Sequence, residues 1–514
     1  MNAMYAASVL TFAYLVSGFA QPASSGVTIR STTTLIQVSL TAQDAKGLPV
    51  ADLRKDEFEV FDNGRPQRIA TFVVEAPPSA ARRNPTDGVF SNQVLDSAES
   101  RGGHTAILLD LLDVYQFGGP NAFGDQAFAR MAVAKVIQGR ASTEKLALYL
   151  LDSAGLEMIC DFGTDRDVLM RRAAALTGRL PFDRGMGGGN APVGQGSAIG
   201  QVQLGGQTAT IVSVSKGLTA YWRMGDGLSA LEKIADRLAG VPPKKALIWV
   251  SYGIPGAARP SEAFERAIRK LNNADVAVYG VDPGGVSRSM TAPTRVTLDQ
   301  FASETGGAAW HGNGLDWEIE NALDEVDHSY VLGYYAPADY DSAKFHKIGV
   351  EVARPGVTLR YRQGYSAGPE VTRAEDRKSA VLHALLSPVD DAVIPITAKA
   401  VRMQDQRDSI ALQIALQVDS LVLAQKNGRW MGDLEFISRF ATENGTEIGS
   451  TSKKVTINLT QQRYEAASRD GMVFSRTLDV PRGASKLRML VRDQSSGQIG
   501  SLTIPISRIP QGSR

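Results

Sequence analysis

His104-Thr-Ala-Ile-Leu-Leu-Asp110-Leu-Leu-Asp113-Val114 is an almost wholly apolar run that stops abruptly at acidic residues. Its lack of alternation predicts a strand buried on both faces, as found where helices cover both sides of a parallel sheet. Ligands of open α/β sheets bind outside the carboxyl ends of the strands. Asp110 and Asp113 are thereby placed at the rim of such a sheet.

Downstream of this run, strands and helices alternate. Helical stretches at 125–137, 165–176, 228–238, 261–272 and 317–326 separate apolar runs at 145–151, 156–160, 246–250 and 276–281. The alternation predicts right-handed crossovers and a doubly wound, mostly parallel, Rossmann-like α/β domain over 104–328. Between 178 and 225 the pattern breaks into a stretch rich in Gly, Ala, Gln and Ser, which reads as a long loop or a lid over the rim.

The flanks follow a different rhythm. Residues 26–78 alternate with period two through Ile36, Val38, Leu40 and Ala42, and Asp62-Asn63-Gly64 marks a tight turn. This predicts a small N-terminal β module, followed by an aperiodic linker over 79–103. Residues 329–366 read as antiparallel strands extending the α/β domain. Residues 375–510 read as a C-terminal Ig-like β-sandwich: Ile410, Leu412, Ile414, Leu416 and Val418 alternate, with Asn427-Gly428 and Asn444-Gly445 as turns.

A chain of 514 residues exceeds one ordinary core. Its net charge of +1 offers no electrostatic footprint for a polyanion, so nucleic acid is excluded as an expected partner. The apolar stretch from Ala6 to Ala20, with small residues at Gly18 and Ala20, reads as a signal peptide over 1–20 cleaved before Gln21. A short membrane anchor is the alternative, although the run is too short to span a bilayer and no later segment is long enough. The expected destination is secreted, periplasmic or cell-surface. Cys160, the single cysteine, allows no intrachain disulfide and reads as a small buried hydrophobe.

Catalytic signals are sparse. Ser213-Val-Ser-Lys216 matches S-x-x-K but lacks the S-D-N and K-T-G elements that accompany it in serine enzymes. The five histidines show no metal-ligand spacing, and Gly185–Gly189 lacks the Lys-Ser/Thr of a phosphate cradle. No nucleophile–base pair assembles from the sequence, so a non-enzymatic role is expected. An exported hydrolase with a lid-covered rim is the alternative.

Several stretches carry a family likeness: Lys55-Asp-Glu-Phe-Glu-Val-Phe-Asp-Asn-Gly64, Lys245-Ala-Leu-Ile-Trp-Val-Ser251, Ala302-Ser-Glu-Thr-Gly-Gly307 and Ala322-Leu-Asp-Glu-Val-Asp327. Tyr330-Val-Leu-Gly-Tyr-Tyr335 and Arg362-Gln-Gly-Tyr365 complete the set. In order and spacing the chain resembles secreted bacterial von Willebrand factor A-related (VWA-related) proteins of the acidobacterial type. The resemblance implies a VWA-like sheet whose rim holds Mg²⁺ through Asp-x-Ser-x-Ser, a Thr from a second loop and a later Asp, with one position open for a partner's acidic group. Here only Asp110 stands in register. Leu112 and Val114 occupy the two Ser positions, and Val250-Ser251-Tyr252-Gly253 lacks the later Asp. The Thr falls within the insertion, with Thr208 as one choice.

The implied metal site is therefore degenerate. It is reduced to Asp110 and Asp113, binds Mg²⁺ weakly at most, and is accompanied by no other cofactor. The residues alone suggest that Asp110 caps a loop by hydrogen bonding. The expectation is metal-independent protein binding or adhesion through a rim of Asp110, Leu112, Asp113, Ser251 and Tyr252, with a weakly Mg²⁺-dependent adhesin as the alternative.

Overall fold

The computed structural model describes residues 35–74, 88–94, 103–112, 122–140, 143, 145–176 (except 153), 200–242 (except 205–206 and 212–215), 245–254, 261–285, 293–336, 344–365, 374–403 and 408–512. The fold is mixed α/β. The predicted signal peptide and Asp113 lie outside the described residues, as does most of the 178–225 insertion. Within that insertion, Gly200–Leu204 pairs antiparallel with Gln207–Ile211.

At the centre lies a six-stranded sheet. Its strands are β1 (His104–Asp110), β2 (Leu146–Asp152), β3 (Gly155–Cys160), β4 (Lys245–Val250), β5 (Val276–Val281) and β6 (Ala309–Trp310), in the order β6-β5-β4-β1-β2-β3. All neighbours are parallel except β2 and β3. Every residue of β1, β2 and β4 is buried, which explains their uninterrupted apolar sequence.

Six helices cover the sheet: α1 (Ala122–Gly139), α2 (Arg166–Ala174), α3 (Lys216–Leu238), α4 (Glu262–Asn273), α5 (Pro293–Thr305) and α6 (Leu315–Asp327). One face packs Ile107 and Leu109 against α1, α2 and α6. The other packs Ala106 and Leu108 against α3, α4 and α5. Local chemistry sets the helix starts. Asp165 accepts from Asp167 N and Val168 N ahead of α2, and Ser261 accepts from Phe264 N ahead of α4.

Residues 35–74 and 330–365 fold together rather than as separate additions. Leu35–Gln43 pairs with Tyr330–Tyr335 and Thr358–Tyr361, while Phe58–Asp62 pairs with His346–Val352. The two four-stranded sheets share one core around Val38, Leu40, Tyr330 and Leu332. The turn at Asn63-Gly64 has positive φ at both residues, as a two-residue hairpin of this hand requires.

The C-terminal residues also form two sheets around one core. Ile396–Arg402, Ser409–Leu416 and Met472–Asp479 face a sheet built on Arg429–Ala441, Glu447–Thr460, Lys486–Asp493 and Ile499–Pro505. Val89–Ser91, from the stretch read as linker, adds a strand to the first of these sheets through Ile396–Arg402. α7 (Ala374–Leu386) lies against the second.

Candidate functional site

Strand order reverses between β1 and β4, because β2 continues on one side of β1 and β5 on the far side of β4. Crevices at such switch points are where open α/β sheets bind ligands. The register pairs Leu109 with Val250, so Asp110 emerges beside Ser251.

Asp110 is 5% exposed and its carboxylate is fully engaged. Oδ2 accepts from Trp249 Nε1 at 3.0 Å and from Ser251 Oγ at 2.8 Å, and Oδ1 accepts from Leu112 N at 3.1 Å. Ser251 Oγ in turn accepts from Gly253 N at 3.0 Å. Burial pushes the Asp110 carboxyl above the usual carboxylate range, and the Leu112, Ser251 and Trp249 donors oppose that shift.

The described part of the site fits a hydrated Mg²⁺ poorly. Both Asp110 oxygens already hold protein donors, the Ser251 hydroxyl proton points at Asp110, and Leu112 offers no oxygen. Among the described residues no group of three or more His, Cys, Asp or Glu side chains is arranged to hold a metal ion. Asp113 and Ser213 lie outside the described residues, as does the side chain of Thr208.

The expected contact residues are placed differently from the sequence reading. Leu112, Ser251 and Tyr252 are 7%, 1% and 1% exposed, so they are not a surface. Leu112 joins the core beneath α3 with Ile254, and Tyr252 joins the core on the opposite face. Just beyond Tyr252 the backbone turns at Gly253 (φ +84°). These residues support the rim from below.

A second polar cluster closes the rim at the ends of β5 and β6. Buried Asp282 accepts from Arg295 Nε at 2.8 Å and from Gly284 N at 2.9 Å. His311 contacts Asp299 at 2.9 Å through Nε2 and stands 3.8 Å from Asp282 through Nδ1. Asp282 and Asp299 on the two sides of the ring hold its pKa above the ordinary histidine value. Glu318 accepts from Gly312 N at 2.8 Å, and its other oxygen is buried without a hydrogen-bond partner among the described residues. From sequence alone, Asp282-Pro-Gly-Gly285 reads as a turn that ends a strand. Its distant partners come from α5 and the strand end at β6, and no local pattern announces them.

Exposed apolar groups lie further out. Phe128, Met131, Val296 and Trp317 are 45%, 70%, 50% and 60% exposed, and each belongs to a helix that follows a strand of the central sheet. Phe128, Met131 and Lys135 share one stripe of α1. Lys135 bonds to Asp316, next to Trp317, so α1 and α6 present these side chains on neighbouring faces.

No family model and no curated protein matches the sequence. Solved structures resemble it only remotely. Proximal thread matrix protein 1 from the mussel byssus is 13% identical over 44% of this chain and 47% of its own, with a TM-score of 0.27. The pilus adhesin SpaC from Lactobacillus rhamnosus GG is 8% identical over 84% of this chain and 60% of its own, with a TM-score of 0.23. The human COPII-coat protein Sec24c is 9% identical over 79% of this chain and 44% of its own, with a TM-score of 0.18. In each case this chain spans less than two thirds of the other protein. Among the described residues no helix is long and apolar enough to cross a membrane.

Proposed function

We propose that the chain is an exported, non-enzymatic VWA-related protein that binds a protein partner without a metal ion. On this reading the central sheet is a doubly wound VWA-like domain, and the two C-terminal sheets are an Ig-like β-sandwich that spaces and orients it. The observation that carries the proposal is the state of Asp110. The one acidic residue in register with a metal-ion-dependent adhesion site is bonded to three donors of its own chain, which hold it in place without a metal ion. Recognition is then assigned to the apolar side chains around the rim, with Phe128, Met131 and Trp317 as anchors.

Capture from a cell-envelope extract on the immobilised chain tests this. One partner should be retained equally in EDTA and in Mg²⁺. Met131→Glu and Trp317→Ser should each weaken its binding about tenfold or more without lowering the melting temperature. Loss of capture in EDTA, or full retention by both variants, refutes the proposal.

A further inference from the structure

Away from the rim, α3 and α4 meet the segment that enters the C-terminal sheets around a cleft of about 460 Å³. That volume lies within the range of small-molecule sites, which favour junctions of this kind. Glu232, Lys233 and Asp236 come from α3, Lys270 from α4, and Asp390 and Asp391 from the connecting segment.

The cleft is held by close backbone contacts. Ala392 N donates to Asp236 O at 3.1 Å, and a Cβ on Gly240 would stand 2.4 Å from Ala392 Cβ. Asp391 is anchored from three directions: its N donates to Ser501 Oγ, and its carbonyl accepts from Ser501 N and from Asn92 Nδ2, each at 2.8 Å.

Most charges on the walls neutralise one another. Lys270 Nζ lies 2.6 Å from Asp236 and 3.8 Å from Glu232, Arg266 bonds Glu232 at 3.0 Å, and Arg488 bonds Asp390 at 2.9 Å. Two groups remain. Asp391 Oδ1 accepts from Val393 N at 3.0 Å, while Oδ2 has no hydrogen-bond partner among the described residues. Half-buried Lys233 makes no ion pair or hydrogen bond among them either. A carboxyl oxygen and an amine without a direct hydrogen-bond partner among the described residues therefore line the same cleft.

We propose that this cleft binds a small zwitterion, a free amino acid or dipeptide, with its ammonium on Asp391 and its carboxylate on Lys233. Charge-assisted hydrogen bonds at both ends would supply recognition, and the apolar wall from Ala380, Ala384 and Val389 would receive the side chain. Two electrostatic consequences agree with it. Burial and neighbouring Asp236 push Asp391 up to about 8, with Val393 N–H, Lys270 and Arg488 opposing. Burial lowers Lys233, with Asp226 and Glu232 opposing. In each case burial outweighs the opposite charges nearby, and a zwitterion adds one more on either side. Asp236, Glu232, Lys270, His383 and Asp390 also face the space, and binding near neutral pH should release a proton from Asp391.

Isothermal titration of the full chain tests the assignment, using the twenty L-amino acids and their glycyl dipeptides beside N-acetylated and C-amidated forms. At least one free zwitterion should bind with a Kd of about 1 mM or tighter. Acetylation or amidation should each weaken it by roughly tenfold or more, as should Asp391→Asn and Lys233→Met. Lys233 belongs to a helix surface, so its variant keeps the test valid even if Asp391→Asn unfolds. No binding by any zwitterion, or equal binding of the blocked forms, overturns the proposal.

Discussion

Replacing Asp110 by Ala separates a structural carboxylate from a metal ligand. In the native chain the carboxylate receives Trp249 Nε1, Ser251 Oγ and Leu112 N, from residues 0%, 1% and 7% exposed. The alanine variant leaves those donors in the core. Each buried donor left unpaired costs about 1–3 kcal/mol. The Ser251 hydroxyl can rotate to another acceptor, so the indole and the Leu112 amide dominate, giving a gross loss of about 2–6 kcal/mol. Removing a carboxyl whose ionised form is opposed by burial returns part of this, and we expect a net loss of about 2–4 kcal/mol.

Asp110→Asn keeps one acceptor oxygen but turns an NH₂ toward a donor, so about half the loss should remain. Urea unfolding followed by tryptophan fluorescence, in EDTA and in excess Mg²⁺, reads the effect. A vacant metal cage would behave in the opposite way. Its ligand carboxylate would be unpaired in EDTA, so alanine would be neutral or stabilising, and Mg²⁺ would stabilise the native chain alone. Native-like stability of Asp110→Ala in EDTA refutes the structural reading of this residue.

Two further outcomes follow from buried charges elsewhere. Arg237, 5% exposed, donates to Asn92 O at 2.6 Å and to Asp161 at 2.7 Å, so Arg237→Met should cost about 1–3 kcal/mol. It should also accelerate amide exchange in Val89–Ser91, and unchanged exchange there would count against the junction described. His311 has a folded pKa raised by Asp282 and Asp299, so its contribution to stability is complete below the unfolded value of about 6.5 and is lost as pH rises through the folded value. Melting temperatures across that window should decline in the native chain and decline less in His311→Gln; parallel profiles would show that the ring does not titrate as described.

The parts of this fold that could be read from sequence are those decided by neighbours along the chain. The apolar runs of β1, β4 and β5 specify strands buried on both faces, and Asp165 and Ser261 mark helix starts through bonds to amides two or three residues away. The parts that could not be read depend on partners far apart in sequence. Val89–Ser91 looks like linker because three residues carry no period, and becomes a strand only because Ile396–Arg402 offers it an edge. Residues 35–74 look self-contained because their alternation is regular, yet Val38 and Leu40 are buried by Leu332 and Tyr330.

The rim divides along the same line. That Asp110 ends a buried strand was legible, because a strand end is local. That its oxygens face inward was not, since this depends on the register that sets Trp249 and Ser251 of β4 beside it. The same register bears on the proposed function. Leu112 and Trp249 belong to the buried core at this strand end, so a partner cannot reach either without displacing packed residues. On the proposed reading, a contact at this end of the sheet uses the exposed Phe128, Met131 and Trp317. The burial of Asp110 and Leu112 and the exposure of Phe128, Met131 and Trp317 belong together on that reading: the strand end is core, and recognition at this end of the sheet falls to the exposed apolar side chains.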